Sequence, residues 1–290
     1  MTTITITRAG PLATLQDQGR YGVLAHGISA SGPTVNSAFH EAGGLLETPG
    51  TTGIEFTSAG LAFTVDGPLR AAAAGGDFSL SVNGDRREWP ATLALAAGDG
   101  VDVAPGSAGN YGYLRFEREL DVPALLGSRS TNLAVGLGGY RGRALKAGDQ
   151  IAFGALGTIG KAELAAPSQP GPIRFTWGVH ADQIPRDVRE RFTQAGFLVS
   201  TRLDRMGVRL EDPEGVFTSL RQLSLVSEAI VVGDIQILGD GTPVVLMRDH
   251  QPTGGYPRIA TIVSVDFDRF AQMRPGSTVH FQSVVPGHRR

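Results

Sequence analysis

The sequence contains no cysteine. Disulfides, thiolate catalysis and cysteine-ligated metals are therefore excluded together, and a reducing compartment is expected. No apolar run approaches the roughly 18 residues that span a bilayer. The first ten residues, MTTITITRAG, alternate threonine and isoleucine and show no pattern of a secretory leader. We therefore expect a cytoplasmic protein that does not enter membranes.

Neither sign of charge dominates. The chain has 26 basic and 28 acidic residues, a net charge of -2, so nothing favours nucleic acid or an anionic membrane as a partner. Aromatic residues make up only 7%, whereas glycine (40) and proline (17) are frequent. Such a composition is typical of many tight turns between short strands. A length of 290 residues fits one large domain or two of ordinary size.

Short segments with alternating apolar residues follow one another in the first half. They are 54–57, 61–65, 70–74, 78–82, 92–96, 101–103 and 111–116. Turn residues separate them, and Asn83-Gly84 is the strongest hairpin signal among these turns. Seven strands at this spacing predict a barrel or a sandwich.

Helical spacing is rare. Residues 35–46 have apolar positions at helical intervals after a possible Thr34 cap. Residues 182–194 and 267–273 are the other predicted helices. A Gly/Ala/Pro/Ser-rich stretch then predicts two domains, 1–155 and 173–290, joined by a linker at 156–172.

Local catalytic signatures are missing. There is no phosphate-binding P-loop, and the glycine-rich loop at 136–142 has the wrong spacing and context for a dinucleotide fingerprint, so structural turns are the better interpretation. The six histidines never fall at metal-binding spacing, so no metal site is predicted. No Met-Lys-Met is present, so we expect no biotin attached to this chain.

Polar clusters beside glycines remain, in LQDQGRYG (15–22), SASGPT (29–34), GSRST (127–131), LDRMGVRL (203–210) and the long loop of MRDHQPTGGYPRIATIV (247–263). Glycine lets a backbone approach a ligand, and a guanidinium binds carboxylate or phosphate, so these clusters suit a planar or anionic ligand. The alternative is structural. Asp17 with Arg20, and Asp204 with Arg205 or Arg209, would then be ion pairs that hold the fold, and His250 would be a surface residue.

The following motifs succeed one another along the chain: TLQDQGRYG, SASGPT, LGSRSTNL, GLGGYRGRALKAGDQIAFG, DRMGVRL, SEAIVVGDIQI and HQPTGGYPRIATIVSVD. Through these motifs the chain resembles the allophanate hydrolase subunit 2 family over nearly its whole length. The resemblance implies a mainly β fold of two tandem cyclophilin-like β-barrel subdomains with a few short helices. It also implies an obligate partner, a subunit-1 or KipI-like protein, which is the B-type component in 5-oxoprolinases. Those enzymes have a third, LamB/YcsF-type component, the A type.

The function that this resemblance implies is that of the C-type component of a 5-oxoprolinase, acting with its partners in the ATP-dependent cleavage of 5-oxo-L-proline to L-glutamate. ATP is expected at the level of the complex, with no assigned place on this chain. One alternative is a biotin-dependent carboxyltransferase half-module acting on urea or a related amide. A second alternative is a non-catalytic KipA-like binder of a KipI-like regulator.

Residues that match the family motifs are expected to line one cleft facing the partner. The resemblance implies catalytic roles for Asp204, Arg205, Tyr256 and Arg258. It implies substrate binding by Gln16, Asp17, Arg20, Ser128, Arg129, Ser130, Arg209, Thr253, Gly254 and Gly255. The sequence departs from the family pattern at Gln18, Thr34-Val35, Ala229, His250 and Pro252, which leaves the amide substrate open.

Overall fold

The computed structural model describes residues 2–157, 170–220 and 225–284. The chain divides into two compact units, Met1–Gly22 with Ala30–Ala165, and Val23–Ser29 with Ala166–Arg290. Both are built mainly from β-strands, with three α-helices in the described residues, so the predicted fold class is confirmed. None of the described helices is both long and apolar enough to cross a membrane. The predicted linker at 156–172 lies mostly outside the described residues.

The described part of the first unit contains twelve strands and one α-helix. The strands are β1 (Thr3–Ala9), β2 (Thr14–Gln16), β3 (Gly53–Thr57), β4 (Leu61–Val65), β5 (Leu69–Gly75), β6 (Phe78–Val82), β7 (Asp85–Arg87), β8 (Ala91–Leu95), β9 (Gly100–Pro105), β10 (Tyr111–Phe116), β11 (Arg118–Leu120) and β12 (Gln150–Leu156). Helix α1 spans Asn36–Gly44.

These strands form two sheets around one apolar core. The larger has the order β11-β12-β1-β4-β9-β6-β7, and the smaller β2-β3-β10-β5-β8. Buried aromatic side chains fill the core, among them Phe56, Phe63 and Phe116. The predicted Asn83-Gly84 hairpin joins β6 to β7, and both turn residues have positive φ, as a primed turn requires. All seven strands predicted between 54 and 116 are present.

The start of α1 differs from the prediction. Val35, not Thr34, precedes the first helical residue, and no side chain caps the helix. The Thr34 hydroxyl and N–H instead donate to the buried carboxylate of Glu55, at 3.0 and 2.7 Å. The Tyr113 hydroxyl donates to the same carboxylate at 2.7 Å. Thr34 is therefore used to satisfy a buried acid, which outweighs the capping preference because an unpaired buried carboxylate is far costlier.

The described part of the second unit contains nine strands and two α-helices. The strands are β13 (Ile173–Trp177), β14 (Gly196–Leu203), β15 (Gly207–Glu211), β16 (Glu228–Ala229), β17 (Asp234–Ile237), β18 (Pro243–Leu246), β19 (Thr253–Gly254), β20 (Arg258–Ile262) and β21 (Thr278–Ser283). The helices are α2 (Arg186–Gln194) and α3 (Ser264–Ala271).

The predicted helices of this half begin at other residues. A single 3-10 turn, Ala181–Gln183, stands where 182–194 was predicted to start, because Pro185 adopts an extended conformation and delays α2 until Arg186. Helix α3 begins at Ser264, three residues before the predicted start.

In the second unit, seven strands form a closed barrel in the order β13-β20-β17-β18-β15-β14-β21. Side chains alternate between its two faces. Ile235, Val245 and Val208 lie opposite one another on adjacent strands and fill the inner face. Their neighbours, Gln236 and Val244, therefore belong to the outer face. Strands β16 and β19 form a separate two-stranded ribbon.

Candidate functional site

In the first unit, the predicted residues converge on the carboxylate of Asp17. It accepts hydrogen bonds from the Ser128 hydroxyl (2.5 Å), the Ser130 hydroxyl (2.7 Å), the Arg129 N–H (2.6 Å) and the Gly19 N–H (2.9 Å). Burial raises the pKa of Asp17, but these donors together lower it below its ordinary value. The serine hydroxyls are thus committed to an internal acid, which gives this motif pair a structural role.

Arg20 reinforces the same junction. It is 1% exposed, and its guanidinium donates to the carbonyls of Leu125, Ser128 and Ser130. A Cβ at Gly138 would lie 2.1 Å from the Ser130 carbonyl oxygen, and Gly138 has φ of 73°. The glycine-rich loop can therefore pack directly on the GSRST turn, as its interpretation as a structural loop implies.

Gln16 and Arg129 complete this group. The Gln16 amide donates to the Thr14 hydroxyl and to the Thr131 carbonyl, both at 3.0 Å. The Arg129 guanidinium donates to the Val122 carbonyl at 3.0 Å. Every predicted residue of this unit thus joins two parts of the backbone.

In the second unit, the predicted Asp204 ion pairs are replaced by other contacts. The Asp204 carboxylate accepts from the N–H groups of Met206 and Gly207, at 2.7 and 3.0 Å, and shapes the turn. Arg205 pairs instead with Asp249, with Nε to Oδ2 at 2.9 Å and Nη2 to Oδ1 at 3.1 Å. Both side chains are 1% exposed, so Arg205 is a buried structural cation rather than a group that faces a ligand.

His250, next to Asp249, is buried, so its interpretation as a surface residue was wrong. Its Nδ1 lies 2.6 Å from the Gln251 carbonyl oxygen, an arrangement in which Nδ1–H donates. Burial lowers the pKa of His250, although the Gln251 carbonyl and the carboxylates of Asp234 and Asp249 act in the opposite direction. The ring is therefore held in its neutral form at neutral pH.

The TGGYP segment forms half of the β16–β19 ribbon, which lies over the outer face of the barrel. The Leu225 N–H donates to the Gly255 carbonyl at 2.7 Å. A Cβ at Gly254 would lie 2.6 Å from the Gln236 Nε2 and 3.2 Å from the Ile230 Cδ1. A Cβ at Gly255 would lie 2.7 Å from the Leu225 carbonyl oxygen. Glycine is thus needed twice, because Gly254 packs against the barrel residue Gln236 and Gly255 packs against Leu225, which precedes β16.

Arg258 lies at the start of β20 within a charged cluster. Its guanidinium reaches Glu228 at 3.0 Å and Asp234 at 3.4 Å, and its N–H donates to the His180 Nδ1 at 3.2 Å. The other ring nitrogen of His180 lies 3.4 Å from the Glu228 carboxylate. Thr261 donates to Asp234 at 2.6 Å. Arg258 therefore ties the ribbon strand β16 to the barrel.

An open groove of about 400 Å³ lies on this outer face. Three of the predicted site residues line this groove: Asp204, Arg209 and Tyr256. Its other walls are Thr201, Arg202, Leu203, Met206, Gly207, Gln236, Leu238, Val244, Leu246 and Gln251. A second groove of about 460 Å³ continues from it past Arg202 and Arg209. In the described part of the chain, no residue gives the Arg209 guanidinium a hydrogen bond or an ion pair, although Asp240 feels its charge.

Gln236 belongs to none of the motifs and was not predicted as a site residue. It is 1% exposed and lines the groove, and its Nε2 has no hydrogen-bond partner among residues 2–157, 170–220 and 225–284. A signal existed in the sequence, since DIQI places one polar residue at an alternating position inside an otherwise apolar strand. Within the described residues there is also no cluster of acidic or histidine side chains that suits a metal ion.

The groove therefore combines, with apolar walls, a guanidinium and an amide donor that have no partner in the described ranges, and a surface carboxylate. Such a set recognises a small ligand that carries a carbonyl and an anionic group. The family profile described as carboxyltransferase domain, subdomain A and B, matches residues 26–283. The chain belongs to this family.

Two named relatives match nearly the whole chain. The chain is 33% identical, over 95% of its length and 89% of the relative's, to the C-type component of the 5-oxoprolinase of Escherichia coli. It is 27% identical to the urea amidolyase of Lachancea kluyveri over 96% of its length, but covers only 17% of that enzyme. The solved urea amidolyase of K. lactis has the same fold, with a TM-score of 0.86 and 24% identity over 98% of this chain and 19% of that one.

Proposed function

We propose that this chain is the C-type component of an ATP-dependent 5-oxoprolinase complex. The observation that carries the proposal is the 33% identity to the corresponding 5-oxoprolinase component of E. coli, which extends over 89% of that relative. The outer-face groove is compatible with the substrate, because 5-oxo-L-proline is a small planar lactam with a carboxylate. Arg209 and the buried amide of Gln236 supply a cation and a carbonyl-reading donor there.

The reaction breaks the lactam C–N bond. One water adds its oxygen to the carbonyl carbon and the ring nitrogen takes up protons, giving glutamate. A second water receives the γ-phosphoryl group of ATP, giving ADP and phosphate. We assign ATP to the complex and not to a site on this chain, whose sequence lacks a P-loop. We also propose two partners, a KipI-like component of the B type and a LamB/YcsF-like component of the A type.

Within this chain, we assign substrate contact to Arg209, Tyr256 and Asp204, which line the groove. Arg258 and Arg205 are assigned positioning roles, because each is held by carboxylates of its own unit. Arg258 fixes the ribbon that carries Tyr256, and Arg205 fixes the turn that carries Asp204.

Co-expression of this chain with its two partner proteins tests the proposal. The purified complex should release glutamate and phosphate in equal amounts from 5-oxo-L-proline and ATP. Omission of this chain should abolish the release. A complete complex that binds tightly but shows no turnover would overturn the proposal and favour a KipA-like regulatory binder.

The alternative function is that of a carboxyltransferase half-module that acts on urea or a related amide. The family profile and the match to urea amidolyase favour it. This function needs a biotin carboxylase and a biotin carrier from other chains. Transfer of labelled bicarbonate to urea by this chain with those components would support the alternative, and its failure beside active 5-oxoproline cleavage would exclude it.

A further inference from the structure

Three residues form a row across the outer face of the barrel in the second unit. Gln236 on β17 lies opposite Val244 on β18, and Val244 lies opposite Arg209 on β15. Residues that are paired across neighbouring strands share one face of the sheet. Two strand spacings separate the backbones of Gln236 and Arg209, a distance of about 10 Å. The amide and the guanidinium therefore stand at the two ends of a short apolar floor formed by Val244.

One end of this row is a buried amide donor that lacks a hydrogen-bond partner in the described part of the chain. A buried donor without a hydrogen bond is rare in folded proteins, because its desolvation is not repaid. Among the residues that the structure describes, the Gln236 Nε2 is such a donor, and the Gln236 side chain belongs to the lining of the groove. The Gly254 backbone packs against this amide, and a Cβ there would lie only 2.6 Å from the Nε2, so a side chain at this position would displace the donor.

The guanidinium end carries a cation without an ion pair in the described part of the chain. Arg258, on the other side of Gln236, is engaged by Glu228 and Asp234, so it does not compete for a ligand anion in the groove. The remaining charged side chains of the groove are Arg202 and Asp204, and the Asp204 Oδ1 is held by two N–H groups. The groove thus has a net positive charge.

We propose that the groove binds a small amide acid across this row, with the amide carbonyl oxygen on the Gln236 Nε2 and the carboxylate on Arg209. The inference deepens the proposed function and rests on it for the identity of the ligand, 5-oxo-L-proline. It assigns Gln236 as the residue that reads the lactam carbonyl. It also excludes urea as a good ligand, because urea offers Arg209 no carboxylate.

The test is a titration of the full chain with four small molecules, followed by calorimetry or ligand-observed NMR. 5-Oxo-L-proline carries both groups, 2-pyrrolidinone lacks the carboxylate, L-proline lacks the lactam carbonyl, and urea lacks the carboxylate and the ring. We expect 5-oxo-L-proline to bind most tightly. Gln236→Leu should lower the affinity for 5-oxo-L-proline about tenfold, which corresponds to one lost hydrogen bond in a buried site. It should leave the weak affinity for L-proline unchanged.

Arg209→Gln should show the opposite pattern. It should lower the affinity for 5-oxo-L-proline about tenfold or more, since the contact is charge-assisted. It should leave the affinity for 2-pyrrolidinone unchanged. Gln194→Leu and Arg186→Gln, at exposed positions on α2, are matched controls that should alter neither affinity. Equal binding of urea and 5-oxo-L-proline, no binding of 5-oxo-L-proline at millimolar concentration, or unchanged affinity in Gln236→Leu would overturn the inference.

Turnover by the complete complex separates the two proposals. Cleavage of 5-oxo-L-proline with an unchanged KM in Gln236→Leu would reject this site and retain the proposed function. Gln236-dependent binding of 5-oxo-L-proline to a chain whose complex does not cleave it would retain the site and reject the function.

Discussion

Arg205 and Asp249 form a bidentate ion pair inside the second unit, with both side chains 1% exposed. The pair joins the DRMG turn to the segment that leads into the TGGYP ribbon. The Asp249 N–H also donates to the Arg205 carbonyl, so main chain and side chain make the same junction. The two motifs are therefore one structural element, although 44 positions separate their paired residues.

Loss of the ion pair between Arg205 and Asp249 should strongly destabilise the fold. Asp249→Asn leaves the Arg205 charge buried without its counter-ion, and we expect the free energy of unfolding to fall by about 3–5 kcal/mol. The double variant Arg205→Met/Asp249→Leu should be less destabilised than either single variant, because no charge stays buried. Urea denaturation measures all three. The exposed pair of Arg186 and Glu190 is the control, and its loss should cost about 0.5 kcal/mol or less.

Replacement of Gln236 by an apolar residue should weaken ligand binding without lowering the stability of the fold. Gln236→Leu removes a buried donor that has no partner in the described structure, so we expect the unfolding free energy to stay constant or to rise by about 1 kcal/mol. Thermal unfolding without ligand measures it. A large loss of stability would mean that the amide is satisfied in the free protein, contrary to its geometry.

The two ribbon glycines should differ in their tolerance of a methyl group. Gly255→Ala meets the Leu225 carbonyl oxygen, which is backbone, and should cost about 2 kcal/mol or more. Gly254→Ala meets the end of the Gln236 side chain, which can move, and should cost less while weakening any ligand held by that amide. Gly239→Ala is the matched control, since no atom lies within 4 Å of its Cβ. Equal costs at 254 and 255 would contradict this account.

Asp17 should contribute to the acid limit of stability. Because its pKa is lowered in the folded protein, its contribution is complete above about pH 4 and is lost as pH falls through the folded pKa. Asp17→Asn should cost about 2–3 kcal/mol at pH 7 and flatten the fall in stability below pH 4. Asp85→Asn, at an exposed position of β7, should do neither. Denaturant unfolding between pH 7 and pH 3 provides both comparisons.

His250 should make stability depend on pH in a higher range than Asp17 does. Its folded pKa lies below the ordinary value of about 6.5, so the unfolded chain takes up the proton first. Stability should therefore be complete above pH 6.5 and fall as the solution is acidified below it, by at most about 1.4 kcal/mol per pH unit. His250→Asn should reduce that slope, and a slope unchanged from the wild type would contradict the buried neutral ring.

Local patterns predicted the seven strands between 54 and 116, because each strand needs only its own alternation of apolar residues. The hairpin at Asn83-Gly84 was predictable for the same reason, since two adjacent residues determine the turn. The partners of buried charges were not. Nothing local distinguishes Asp249 from Asp204 as the counter-ion of Arg205, and nothing local gives the Thr34 hydroxyl to Glu55. These choices depend on which strands become neighbours.

The candidate site was predictable to a similar degree. Arg209, Asp204 and Tyr256 were named from their motifs, and they line one groove. Several other named residues, Asp17 and Arg205 among them, prove to be internal, because a motif identifies unusual residues without saying whether they face a ligand or a backbone. Gln236 was overlooked because its strand is otherwise apolar.

The last strand of the barrel in the second unit has a consequence for the order of folding. Strand β21 lies between β13 and β14: Ile173 is paired in parallel with Phe281, and Gly196 is paired with His280 in an antiparallel arrangement. The ring of strands stays open until residues 278–283 have been synthesised, so the chain from 173 onward must wait with unpaired strand edges. Such edges are the surfaces on which chains associate wrongly. A growing chain of this kind gains most from an early partner that covers them.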